Sequence, residues 1–264
     1  MTEGVSPLLK FVVAIILLIV VAPLVVPILM SISDTPFIVF PPQGFTLDWY
    51  GEVLANSEAR DSFLFSLKLA AVVTLIALLL GVPCAAGLTR YRLPGGDAVL
   101  GLILSPLIVP LIVIGVALLQ LFSLLGSRAT FMQLVIGHTV VCLPYVIRAV
   151  SASFVLIDSR LTDAAAVLGA PPHVVAARVI WPQVRPGVLA GAIFSFIVSF
   201  DDYPISMWLA DGNNFPVPLY LYTVIERSFD PSIAAIASLM IFFALLLVIV
   251  IEKVFGISLA RLAS

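Results

Sequence analysis

The sequence predicts an all-α membrane protein with six transmembrane helices and one large cytoplasmic loop. Three observations carry that expectation. The 264 residues are 62% hydrophobic and 11% charged, where a soluble domain carries roughly 25% charged residues. Six apolar stretches, at about 11–32, 62–89, 98–125, 131–156, 187–209 and 232–255, are each long enough to cross a ~30 Å hydrocarbon core at ~1.5 Å per residue. Lysine and arginine collect on one side of the resulting arrangement, which is the mark of the cytoplasmic face. Length and composition fit one transmembrane domain over residues 1–264.

Taken in order, Phe11 to Ile32 is uncharged and follows Lys10. Its apolar run exceeds the ~7–15 residues of a signal-peptide core, so it reads as a retained span, bent at Pro23 and Pro27. Asp34 to Asp61 is a polar outer loop in which Thr46 to Tyr50 begins a short surface helix. Trp49 and Tyr50 there suit the membrane interface. The second span, Ser62 to Thr89, carries Lys68 near its outer end, where the stem can lie along lipid and the ammonium reach water; a pore-lining charge is the alternative. A basic turn, Arg90 to Asp97, leads to the third span, Ala98 to Leu125, broken by Pro106 and Pro110. The fourth, near Phe131 to Leu156, holds His138, expected to bond a neighbouring helix, with proton relay as the alternative. Cys84 and Cys142 sit in apolar segments and imply neither a disulfide nor a metal site. The fifth span starts near Gly187, and the sixth runs from Ser232 to Phe255.

With the N- and C-termini inside, Lys10, Arg90, Arg92, Arg148, Arg160, Arg178, Arg185, Lys253 and Arg261 fall on or near the cytoplasmic side. Arg60, Arg128 and Arg227 fall outside. This assignment puts residues 158–186, the longest polar interruption on that side, in the cytoplasm. The segment reads as helix, turn, helix. Leu161 to Leu168 is rich in strong helix formers, with Thr162 or Asp163 available to cap it. Gly169 fits the left-handed position past a helix end. Pro171 and Pro172 close the first helix and open the second, His173 to Ile180, which Pro182 and Pro186 bound.

Asp163-Ala164-Ala165, three residues, Gly169, nine residues, Val179, one residue, Trp181-Pro182 resembles the EAA loop of ATP-binding-cassette importer permeases. The family pattern has Glu, Ile and Leu where this chain has Asp163, Val179 and Trp181; both alanines, the glycine, the proline and every spacing are kept. Gly81 to Arg90 followed by Pro94-Gly95 is a weaker likeness to the same family. The resemblance implies that this loop, with Arg160 at its start, docks into an ATPase subunit and carries its motion into the membrane. It further implies a homologous second permease in a heterodimer, an ATPase dimer that binds ATP and magnesium, a periplasmic or lipid-anchored substrate-binding protein, and a bacterial inner-membrane location. No cofactor is expected in this chain.

Ser199-Phe200-Asp201-Asp202-Tyr203-Pro204 is the second informative stretch. A fifth helix from Gly187 to Phe200 supplies only ~21 Å, so the span is expected to continue through about Trp208, with both aspartates in the outer half of the membrane. An ionised Asp facing lipid costs roughly 2.5–3.5 kcal/mol, so the pair should face a wet cavity. A helix that starts earlier, near Gln183, instead leaves the pair at the outer interface. Asp201, Asp202, Tyr203 and Trp208 together suit a cationic amine, through charge pairing and ring faces. The stretch, with Phe215 to Tyr222 and Phe229 to Ala235, resembles the second permease subunit of spermidine/putrescine importers. That resemblance implies a polyamine substrate; another small solute, an amino acid-like amine or iron, is the alternative. Leu219 to Arg227 reads either as a contact for the binding protein or as a plain loop helix.

Other function classes find little support. No G-x-x-x-x-G-K-[ST] phosphate loop is present, so ATP hydrolysis belongs to a separate subunit. An ion-coupled secondary carrier would favour inverted repeats, and an intramembrane protease would need more than Ser127 and His138. No catalytic residue, metal-ligand set or nucleic-acid-binding pattern stands in the sequence.

Overall fold

The computed structural model describes residues 6–91 and 94–255, with only the backbone given at 251, 252, 254 and 255. Arg92, Arg261 and the side chain of Glu252 lie outside the described residues. The chain is helical, with one isolated bridge between Asp211 and Asn214 among the described residues. It divides into two compact units, one of Asp61–Leu219 and one that combines Met1–Arg60 with Tyr220–Ser264.

In the second of these, α1 (Pro7–Met30) is capped by Ser6, whose hydroxyl accepts from Leu9 N–H, and it continues through Pro23 and Pro27. α2 (Asp48–Ala55) is the short helix expected after Thr46. Its aromatic residues are tied to the turn after α1: Tyr50 OH lies 2.7 Å from Ser31 Oγ, and Trp49 Nε1 donates to the Ser33 carbonyl at 2.9 Å. α12 (Ser232–Phe255) lies against both α1 and α2.

The other unit is built on α3 (Ser57–Arg90), α4 (Gly96–Leu104), α5 (Leu111–Leu124) and α6 (Thr130–Val155). α7 (Ser159–Val167), α8 (Pro172–Val175), α9 (Trp181–Phe200) and α10 (Ser206–Leu209) complete it, and α11 (Val217–Arg227) leaves it. Among the described residues, five helices are long and apolar enough to cross a membrane, and α4 with α5 makes a sixth crossing if counted as one bent span. Those two pieces meet at 101°. The break falls where expected: Pro106 lies in a tight turn over Ser105–Leu107, and Pro110 begins α5 with no N–H to continue the earlier helix.

The fifth segment differs from expectation at both ends. Helix does not start near Gly187 and does not reach 209. It begins at Pro172, runs through a wide π turn at Ala176–Ile180, and is apolar enough to span over Pro172–Phe200. Pro182 and Pro186 do not bound it, because each removes only one backbone donor; Gln183 Nε2 donates to the Val179 carbonyl at 2.7 Å. The 20 residues of α9 supply ~30 Å by themselves. The aspartate pair therefore follows the crossing and is not needed to complete it.

α6 and α9 form an extensive helix contact. Gly187, Gly191, Ser195 and Ser199 stand one turn apart along α9 and meet α6 in reverse order. A Cβ on Gly187 would clash with Ser153 Oγ and meet the Ala149 carbonyl oxygen at 2.6 Å; one on Gly191 would meet Val146 Cα at 3.1 Å. Further out, Cys142 Sγ donates to the Ser195 carbonyl at 3.3 Å and His138 bonds Ser199. In lipid, apolar burial alone drives little association, so close backbone approach and interhelical bonds hold such a pair. α6 also buries Leu134, Val146 and Val150 in a cluster with Leu69, Val73 and Ala77 of α3. Replacing Gly187 with leucine should therefore destabilise the protein by roughly 1–3 kcal/mol through overpacking. Gly212→Ala, with nothing within 4 Å of the added carbon, should leave thermal unfolding in detergent unchanged.

Candidate functional site

Helix α9 stops at Phe200, and Asp201 takes the cap position with φ −100° and ψ 7°. The backbone resumes helix only at Ser206, for the four residues of α10. The interruption has two causes in the sequence. Pro204 has no N–H to donate to the Phe200 carbonyl. Asp202 offers its carboxylate to the backbone instead: Oδ1 accepts from Ile205 N–H at 2.8 Å and from Ser206 N–H at 3.3 Å.

Two glycines seat the segment beyond the break. A Cβ on Gly137 of α6 would meet Ile205 Cγ2 and Leu209 Cδ1, each at 2.8 Å. A Cβ on Gly115 of α5 would meet Trp208 Cδ1 at 2.7 Å and the Pro204 carbonyl at 3.1 Å. α10 thus lies in a groove between α5 and α6 that only hydrogen at these two positions leaves open.

The four residues singled out for the solute path are separated by this arrangement. Asp202 is 5% exposed and engaged with the backbone. Trp208 lies against Gly115, with its Nε1 enclosed and lacking a hydrogen-bond partner. Asp201 is exposed and Tyr203 half-buried. Beside Asp201, Phe200 meets Phe63 edge-on at 5.5 Å between centroids and stacks with Phe196 at 6.1 Å. Lys68 is exposed, with its ammonium 4.7 Å from the centre of the Phe131 ring.

The structure adds His138, for which the sequence foretold a bond to a neighbouring helix but not the partners. Its Nδ1 lies 3.0 Å from Ser199 Oγ and its Nε2 3.1 Å from Ser206 Oγ, with Asp202 Oδ1 3.8 Å from Nε2. All four residues are buried. The spacing of Ser199 and Ser206 around the aspartates was a visible signal, but nothing in the sequence paired them with residue 138.

At the other end of the long helix, α7 begins earlier than either cap weighed from the sequence would allow. Asp158 is the N-cap, its Oδ1 accepting from Arg160 N–H at 2.9 Å; Thr162 and Asp163 lie within the helix. Gly169 has φ +79° and closes α7 as expected: its N–H donates to Ala166 O, and Ala170 N–H to Ala165 O. Pro172 then occupies the first position of α8. Arg160, Asp163, Ala164, Gly169, Trp181 and Pro182 are exposed, and Ala165 and Val179 are half-buried. Val167 and Leu168 are 89% and 86% exposed, so the end of α7 presents bare apolar surface.

Residues 77–263 match the family described as the binding-protein-dependent transport system inner membrane component. The spermidine/putrescine transport system permease protein PotC of Escherichia coli (strain K12) is 32% identical over 78% of this chain and 78% of its own length. The molybdenum transport system permease protein ModB of Mycobacterium bovis is 29% identical over 81% of this chain and 87% of its own. Among solved structures, a bacterial ABC transporter involved in the import of the acidic polysaccharide alginate contains a chain that superposes with a TM-score of 0.67. The match covers 97% of this chain and 99% of that one at 18% identity, a likeness of fold. The chain belongs to the family of inner membrane components of binding-protein-dependent transport systems, and is the non-catalytic, multi-pass permease subunit of an ABC importer.

Proposed function

We propose that the chain forms half of the translocation path for a small cationic solute of the polyamine class, spermidine or putrescine. The observation that carries this reading is the exposed Asp201 carboxylate at the end of α9, next in the chain to Phe200, whose ring meets those of Phe63 and Phe196. Carboxylate and ring faces together suit an ammonium group. Similarity to PotC supports the same class of solute. Asp201 and Tyr203 are the residues that meet the solute, while Asp202 and Trp208 fix the shape of the break. The second reading, another small solute, draws on the similarity to ModB; the negative charge of Asp201 argues against an anion.

In this proposal the chain pairs with a homologous second permease, an ATPase dimer docks below, and a binding protein delivers the solute from outside. Both termini are cytoplasmic. The loop from Asp158 to Pro182 meets the ATPase: its small alanines permit close approach, and Val167 and Leu168 supply apolar surface that docking would cover. ATP acts only through its differential affinity for the two states of the assembly. Since the loop is continuous with α9 through Pro172–Phe200, its displacement reaches Asp201 along one helix.

Asp201→Asn should lower spermidine uptake about tenfold or more, as expected for loss of one partly desolvated charge pair, with unchanged thermal unfolding. Asp202→Ala should instead destabilise the protein by about 1–3 kcal/mol, the cost of orphaned buried donors. Unchanged polyamine uptake in Asp201→Asn would remove the amine site. Gly169→Leu forces a side chain into the left-handed region at roughly 1–2 kcal/mol. It should insert in the membrane yet fail to co-purify the ATPase; retained association and transport would count against docking through this loop.

A further inference from the structure

We propose that His138 is a positioning residue for the transport path, a buried bridge that holds the break between α9 and α10 in one geometry. Its two ring nitrogens meet opposite sides of that break. Nδ1 bonds Ser199, the last buried serine before it; Nε2 bonds Ser206, the first residue of helix after it. One rigid ring on α6 thus spans the interruption. A neutral imidazole has one donor and one acceptor, and a serine hydroxyl serves as either, so both bonds form in either tautomer.

Asp202 completes the arrangement from inside the break, accepting from Ile205 and Ser206 N–H with Oδ1 3.8 Å from His138 Nε2. The carboxylate therefore constrains the same residue, Ser206, that the imidazole holds by its hydroxyl. Packing alone, through Gly115 and Gly137, sets how deep α10 sits. The polar bonds set its register along the groove, because apolar contacts with Ile205 and Leu209 tolerate sliding and directed bonds do not. Asp201, one residue before Asp202, is aimed by that register. The role requires no particular solute.

The test is the distance between spin labels across the break, measured by pulsed electron paramagnetic resonance on the full chain in lipid nanodiscs. Cys84→Ala and Cys142→Ala provide the background. Phe194→Cys on α9 and Met207→Cys on α10, both at exposed positions, form the reporting pair. Val140→Cys on α6 with Phe194→Cys forms a control pair that does not cross the break. Wild-type His138 should give a single narrow distance for both pairs. His138→Leu should lose the single peak for the reporting pair only. Ser206→Ala, which removes one oxygen and leaves the packing, should widen the same distribution, and His138→Gln, whose amide reaches toward Ser206, should partly restore it. A reporting pair as narrow in His138→Leu as in wild type overturns the bridge. So does widening of both pairs alike, which marks general loosening of α6 on α9, and so does a wild-type distribution in Ser206→Ala. Asp201→Asn should leave the reporting pair narrow whether or not it abolishes uptake, so failure of the amine reading stays separate.

Discussion

Four small residues one turn apart, Gly187, Gly191, Ser195 and Ser199, let α9 lie against α6 with backbone nearly touching backbone near its start and with hydrogen bonds toward Phe200. The rest of the unit depends on this contact. In a lipid solvent a leucine gains little by moving from an acyl chain to a neighbouring helix, so the stripe does what an apolar core does in water. The gradient along it is ordered: two positions without side chains where the helices converge, then two serines, of which Ser195 accepts from Cys142 through its carbonyl and Ser199 bonds His138 through its hydroxyl. Ser195 Oγ remains enclosed without a partner, a sign that room at this layer was set by size before polarity.

Where the stripe ends, the chain exchanges one pattern of hydrogen bonding for another. Helix α9 gives up its backbone ladder at Asp201, and the donors released at Ile205 and Ser206 go to the Asp202 side chain. A carboxylate in so enclosed a place is costly unless its oxygens are engaged, and here the break itself supplies the donors. The interruption and the acid support each other: without the break the acid would lack these partners, and without the acid the break would leave buried N–H groups unmet. Irregular backbone is tolerated when its polar groups are met and it is covered by protein, and α5 and α6 cover it.

Much of this was legible in the sequence. Segments near all six apolar stretches fold as helices or, for the third, as a helix pair broken at the prolines. The turn at Gly169 closes as its residue types required. The illegible part had two sources. Pro182 and Pro186 read as boundaries, yet the helix runs through both, with a π turn just upstream of Pro182; local rules weigh each proline alone. The paired aspartates read as equivalent, yet a cap requirement three and four residues on draws Asp202 inward and leaves Asp201 out. The period-four small residues of the fifth span are a signal present in the sequence, but the helix they would meet is not. The pairing of His138 with Ser199 and Ser206 spans 61 and 68 residues of chain, a distance at which no local pattern speaks.

The uninterrupted helix over Pro172–Phe200 has a mechanical consequence. Its 29 residues make a rod of ~43 Å. Turned by about 10° around its midpoint, such a rod carries each end through ~4 Å, and in opposite directions. A pull that draws the Pro172 tip toward the centre of an assembly would thus push the Phe200 tip away from it. Opposite signs at the two ends are what a passage that must never be open on both sides at once needs, and one continuous helix supplies them with no signal passed from residue to residue.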